Sequence, residues 1–335
     1  MHIPDAILEP PVVAATGVLG AAGLAYCLHR AEKELKDRTT PYMGIMAAFV
    51  FAAQMVNFPV GPGVSGHLLG GVLAAVMLGP WAGAVVIGAV LLVQCFLFGD
   101  GGLTALGANF LNMGMVGSVL GYAIYEPIRR AIGGQRGILI GAMIAAWFTV
   151  LIAAGGCAIE IAAVGDRRNF LRVLSWMALV HAAIGVGEAL ITGLVVRFVL
   201  MTRPDLIAEG KEKTPDAEIE AGAGRTEQPW LRPILAGLGI SLAVAVFLAP
   251  FASELPDGLE FVGEQTGVLE ETSVSDSFPA PLRDYQFPLP GLRQVQVATA
   301  AAGLVGTLIV FVASWGLARA LAERPLAERG GADAR

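Results

Sequence analysis

Long apolar runs with almost no charge recur along this chain, and they restrict its folding more than any other feature. A run of about 20 such residues suits one crossing of a bilayer as helix. Within hydrocarbon every backbone N–H and C=O must be satisfied by the protein itself, which favours helices for isolated runs. Nine spans can be drawn by length and apolarity, at roughly 8–28, 42–58, 64–78, 80–98, 103–124, 137–163, 173–200, 231–250 and 297–319. Hydrophobic residues at 55% against 15% charged are outside the range of a soluble domain of 335 residues. The expected fold class is therefore an all-α polytopic membrane protein, with about seven spans in a first domain and two in a C-terminal module.

Loop charge orients the spans. Arg30, Lys33, Lys36 and Arg38 follow the first span, and Arg129, Arg130 and Arg136 follow the fifth. Arg203, Lys211, Lys213 and Arg225 follow the seventh, and Arg319, Arg324, Arg329 and Arg335 end the chain. Nine spans place all four groups on one face, which the positive-inside rule assigns to the cytoplasm. The loop carrying Arg167, Arg168 and Arg172 disagrees. The balance favours an N-terminus outside the membrane. The expected domains are 1–202, a Pro-, Gly- and charge-rich cytoplasmic linker at 203–230, and a two-span module at 231–335 with an outer loop at 251–295. That loop holds eight acidic residues and two basic ones, and either attraction of cations or a solvated tether accounts for it.

The N-terminus carries the most specific chemistry. It reads Met1-His2-Ile3-Pro4, with no Lys or Arg before Arg30 and hence no signal-peptide n-region. The expectation is that Met1 is kept, with a free α-amine. An imidazole at position two lets the Met1 amine, the His2 amide nitrogen and His2 Nδ1 close two fused chelate rings on one cation. A fourth nitrogen would complete a square-planar set, which suits Ni(II) or Cu(II). The natural fourth donor is His67, in Gly61-Pro62-Gly63-Val64-Ser65-Gly66-His67, whose glycines permit a loop folded back into the bundle. The alternative readings are a solvated terminal His2 and a His67 that caps the short third helix.

Other polar residues lie inside the spans. His181 and Glu188 are two helical turns apart, and Asn109 and Asn112 are an i,i+3 pair. A carboxylate or an amide at that depth needs a partner. All four fit either a shell around a metal site, with an asparagine orienting the His67 ring, or a polar network between helices. Gln54, Asn57 and Gln94 have weaker claims of the same kind. Cys27, Cys95 and Cys157 sit in apolar runs without CxxC spacing and read as small hydrophobes. There is no phosphate loop, no His-Glu-x-x-His and no Gly-x-Ser-x-Gly, so an enzyme is the least favoured class. A net charge of −6 without a basic stripe argues against nucleic acid.

These residues resemble a known family. Met1-His2-Ile3-Pro4-Asp5, Ser65-Gly66-His67-Leu68-Leu69-Gly70-Gly71, Ala108 through Gly114 and His181 through Thr192 are similar to the membrane substrate-capture (S) component of nickel/cobalt energy-coupling-factor (ECF) ABC transporters, over about 1–200. Pro256-Asp257-Gly258-Leu259-Glu260 resembles the signature of the small accessory PDGLE domain. The resemblance implies a seven-helix capture domain that binds one divalent ion, Ni²⁺ or Co²⁺, as transported substrate through Met1, His2 and His67, with no permanent cofactor. It also implies a transmembrane coupling subunit and two cytoplasmic ATP-binding subunits as partners, in the plasma membrane of a prokaryote. The family often has Gly at the sixth position where this chain has Ala6, which bears on the turn after Pro4. Nickel is weakly favoured. The other readings are a self-sufficient divalent-cation channel or permease, and a non-transporting metal sensor or scaffold.

Overall fold

The computed structural model describes residues 1–35, 40–162, 167–207, 231–268, 279–287 and 295–322. Most of the linker expected at 203–230 lies outside the described residues, as do Glu270, Glu271, Asp276 and Arg293 of the acidic loop. Lys36, Arg38, Lys211, Lys213, Arg225, Arg324, Arg329 and Arg335 of the orienting clusters lie outside them too.

Helix α1 spans Pro10–Glu34 and α2 spans Thr40–Gln54. A small antiparallel hairpin follows, β1 at Phe58–Gly61 and β2 at Val64–Gly66, with a bulge between Pro59 and Gly61. Gly63 turns it at φ 76°. Helix α3 is only Gly71–Leu78. Gly79, at φ 90°, separates it from α4, Pro80–Phe98, which opens on proline and ends in a π turn. Helix α5 covers 106–132 and is π-helical over Phe110–Leu120. Helices α6, Gly134–Ala162, and α7, Arg167–Thr202, pack as a long pair. The C-terminal part adds α8, Leu231–Phe251, a short α9, Gly258–Thr266, and α10, Val295–Ala322.

The chain is an all-α polytopic membrane protein, inverted relative to a soluble fold. Leu194 is 68% exposed and Phe251 78%, whereas Gln94, Asn109, His181 and Glu188 are buried. Six helices, α1, α4, α6, α7, α8 and α10, are each long and apolar enough to cross a membrane. The expected span at 64–78 is corrected: strand β2 and an irregular turn occupy its first half, because Gly61-Pro62-Gly63 makes a hairpin. Its eight helical residues rise only about 12 Å.

Helices approach closely where side chains are absent. Gly20 of α1 faces Gly107 of α5, and a Cβ there would lie 2.7 Å from the Gly107 backbone. Gly71 of α3 meets Gly117 of α5, with an added Cβ 2.5 Å from the Gly117 carbonyl carbon. Helix α10 lies along α2, with Gly44 against the Phe311 backbone. The C-terminal helices thus share a wall with the first domain.

Candidate functional site

Residues 1–9 form a hook into the bundle, turning at residues 5–8, and are held at several points. Asn109 on α5 grips Ile3 from both sides: Ile3 N–H donates to Asn109 Oδ1 at 2.8 Å, and Asn109 Nδ2 donates to Ile3 O at 3.0 Å. Gly102 N–H donates to the same carbonyl at 2.9 Å. Asp5 Oδ1 accepts from Thr104 N–H and from Thr104 Oγ1. Ala6 turns the chain at φ 67° before α1 begins. The sixth position therefore does need a left-handed residue, and this chain fills it with alanine.

This hook buries the first two residues. The Met1 α-amine lies 2.8 Å from His67 Nε2. On the other side of its ring, His67 Nδ1 is 3.0 Å from the Leu68 carbonyl, which can only accept. The proton therefore sits on Nδ1, and Nε2 presents a lone pair towards the amine. The His2 ring lies against the His67 ring, with centroids 5.2 Å apart and planes 17° apart. His2 Nδ1 is 3.1 Å from Asp100 Oδ1, and His2 Nε2 is 3.2 Å from Gln94 Oε1. Burial lowers the His2 pKa to about 4, against the opposing pull of Asp100.

Each of these partners is itself held. Gln94 donates to Gln54 Oε1 at 2.8 Å, and Gln54 donates to the Leu69 carbonyl at 2.8 Å. Glu188 on α7 accepts from Leu69 N–H at 2.6 Å and from Gly70 N–H at 2.9 Å. The turn that carries His67 is thereby fastened by two helices, with Gly70 in the left-handed region at φ 77°. Helix α3 takes Gly70, not His67, as its N-terminal boundary residue.

Met1, His2 and His67 are thus brought together, and Asn109 and Glu188 hold the backbone beside them. Asn112 and His181 do something else. Asn112 donates to Glu160 Oε2 at 2.6 Å. Both ring nitrogens of His67 are engaged by Leu68 and Met1, so neither asparagine orients that ring. His181 Nδ1 is bonded to the Met177 carbonyl, and its buried Nε2 has no hydrogen-bond partner among the described residues. Cys27, Cys95 and Cys157 are free and buried.

Three residues at the site were not singled out from the sequence. Asp100 sits in the turn Gly99-Asp100-Gly101, whose glycines have φ 67° and 85°. Tyr285 donates to Asp100 Oδ2 at 2.6 Å and stacks on Phe98 at 4.7 Å. Burial, reinforced by Asp100, pushes the Tyr285 hydroxyl well above its ordinary range. Asp257 places Oδ2 2.5 Å from the Met1 amine and 3.6 Å from His67 Nε2. Burial alone would raise its pKa, but the Met1 ammonium beside it holds it well below the ordinary carboxylate value.

Among the described residues, no group of three or more His, Cys, Asp and Glu side chains is arranged to hold a metal ion. A donor set at this site would have to include main-chain nitrogen. The Met1 amine and His67 Nε2 have the spacing of adjacent donors on one ion: two metal–nitrogen bonds of about 2 Å at a right angle put their nitrogens about 2.8 Å apart.

Comparison with known proteins agrees with this architecture. Residues 2–206 match the family model described as the cobalt uptake substrate-specific transmembrane region, and residues 231–323 match the PDGLE domain. A putative fused nickel transport protein of Archaeoglobus fulgidus is 36% identical over 95% of this chain and 98% of its own length. A fused nickel transport protein of Rhodobacter capsulatus is 31% identical over 93% of this chain and 94% of its own. A crystal structure of a truncated transition-metal transporter superposes with a TM-score of 0.54 at 31% identity, covering 60% of this chain and 99% of that one. The chain belongs to the family of cobalt-uptake substrate-specific transmembrane proteins, and carries a PDGLE domain after that region.

Proposed function

We propose that this chain is the substrate-capture component of an ATP-driven Ni²⁺/Co²⁺ uptake transporter, with Ni²⁺ the preferred cargo. One ion is held by the Met1 amine, the His2 amide nitrogen, His2 Nδ1 and His67 Nε2 in a square-planar set. The observation that carries this reading is the 2.8 Å approach of the Met1 amine to the lone-pair nitrogen of His67. To close the chelate, His2 Nδ1 exchanges Asp100 for the ion. Loss of the amide proton selects a strongly acidic cation, and the planar set favours Ni(II) over metals that prefer tetrahedral or octahedral sites. The names of the relatives in Archaeoglobus fulgidus and Rhodobacter capsulatus support nickel.

The chain holds no phosphate-binding loop, so energy comes from two cytoplasmic ATP-binding subunits through a transmembrane coupling subunit. The protein lies in the plasma membrane with its N-terminus outside. Residues 1–202 form the capture domain, 203–230 a cytoplasmic linker and 231–335 the accessory module.

Calorimetry with Ni²⁺ and Co²⁺ tests this on protein that starts at Met1, beside a variant with one Gly inserted between Met1 and His2. The insertion moves both His2 donors out of the fused rings, so tight binding is lost. Unchanged binding would overturn the chelate. Uptake by vesicles that contain this chain alone would overturn the dependence on ATP-binding partners.

A further inference from the structure

The capture region and the C-terminal segment meet at the first atom of the chain. Asp257 belongs to the Pro-Asp-Gly-Leu-Glu stretch, and it does two things at once. Its Oδ1 caps α9, accepting from Leu259 N–H at 2.8 Å and Glu260 N–H at 2.9 Å, while Glu260 Oε2 accepts in return from Asp257 N–H. This fixes the carboxylate rotamer. Its other oxygen is left to point at the Met1 amine.

The stretch is also docked by its backbone. Ser65, two residues before His67, donates its N–H to Pro256 O at 2.9 Å and its hydroxyl to Leu255 O at 2.7 Å. Gly258 lies against Ile184 and His181, where an added Cβ would fall 2.7 Å from Ile184 Cδ1 and 2.8 Å from His181 Cε1. Only glycine lets the backbone come that near α7. From the same segment Tyr285 closes over Asp100, the carboxylate on His2. Two side chains from beyond residue 250 thus bracket the two residues that supply three of the four donors.

We propose that Asp257 completes the capture site by positioning the Met1 α-amine, so that the C-terminal segment forms part of the binding site. The inference rests on the chelate reading given above. A coordinated amine still carries N–H, so the bond to Asp257 Oδ2 persists when the proton on the nitrogen is exchanged for the ion. Outer partners of this kind aim metal ligands and tune their donor strength.

The test is Asp257→Asn in the full chain. Asparagine caps a helix as well as aspartate does, so α9 stays formed, with helix content by circular dichroism unchanged. Ni²⁺ affinity is expected to fall about 10- to 100-fold, and the visible ligand-field band of the bound ion to shift, which a purely structural role would not produce. Wild-type affinity in Asp257→Asn would overturn the proposal. A second measurement needs no variant: on Ni²⁺ binding, hydrogen exchange at Leu259 and Glu260 should stay slow, because the segment remains seated. Faster exchange there would equally overturn it. The Gly-insertion variant separates the two ideas. If it still binds tightly, the chelate itself is wrong. If it does not bind while Asp257→Asn matches wild type, only the role of Asp257 fails.

Discussion

Asn109 forms a two-point bridge to Ile3, donating to its carbonyl and accepting from its N–H as a neighbouring strand would. With Gly102 and Thr104, this side chain sets how far Met1 and His2 reach into the bundle. Asn109→Ala should lower Ni²⁺ affinity about 10- to 100-fold, the range for partners one step removed from a metal. Asn109→Asp keeps the acceptor, loses the donor, and should fall between. Calorimetry on both variants checks the order.

Glu188 has a different effect, on the turn that carries His67. Its removal in Glu188→Ala leaves the Leu69 and Gly70 amides buried and unpaired, at a cost of about 1–3 kcal/mol each. Gln keeps one acceptor and turns an NH₂ towards the other amide. Denaturation in micelles should rank wild type above Glu188→Gln or Glu188→Ala, with both variants also weaker in Ni²⁺ binding.

Binding should tighten as pH rises. The ion displaces protons from its ligands, the amide proton of His2 among them. The His2 ring contributes none there. Its pKa is lowered to about 4, so it is already neutral at pH 7 and competes for a proton only in acid. Titrations at pH 7 in two buffers of different ionisation enthalpy give the proton count directly. A count above two would mean that an imidazole, His2 or His67, also gives up a proton to the ion.

The N-terminal hook has two positions where one methyl group matters. Ala6 at φ 67° carries the penalty of a side chain in the left-handed region, about 1–2 kcal/mol. Ala6→Gly should therefore hold the hook more firmly, by up to about 1 kcal/mol after the extra freedom of the unfolded glycine. Gly102→Ala should do the reverse, since its Cβ would fall 2.5 Å from Asp5 Oδ1 and 2.7 Å from the Pro4 carbonyl carbon. Ni²⁺ affinity should rise or hold in the first and drop in the second, with helix content by circular dichroism unchanged in both.

Helices α1, α6, α7 and α10 are legible in the sequence, because a long uncharged run in a bilayer has few alternatives to helix. The 64–78 segment is not, because apolarity alone does not distinguish a hairpin folded into protein from a span. The Gly61-Pro62-Gly63 punctuation was the available signal. That Met1, His2 and His67 lie together was open to expectation from the sequence, because position two is a chemical constraint on chelation, independent of the fold. Asp257 was named only within the PDGLE signature and among the acids of an outer loop, with no link to Met1. Its contact with Met1 joins residues with a sequence separation of 256, and no periodicity reports such a pairing. The Asp257-x-x-Glu260 capping pattern could have shown that a helix begins there. Asp100 and Tyr285 carried no pattern at all.

The hydrogen bonds that seat Leu255 and Pro256 on Ser65 are one part of the contact between the C-terminal segment and the first domain, beside the packing of α10 along α2. Covalent continuity changes what such an interface can do. A tethered group meets its target at an effective concentration that can reach the millimolar range for short, flexible connections. A weak intrinsic affinity then suffices for near-complete occupancy. The same segment made as a separate polypeptide would depend on its own abundance in the membrane, and some copies of the partner would go without it. Fusion removes that stoichiometric variable, so every copy of the Met1 amine is supplied with one carboxylate.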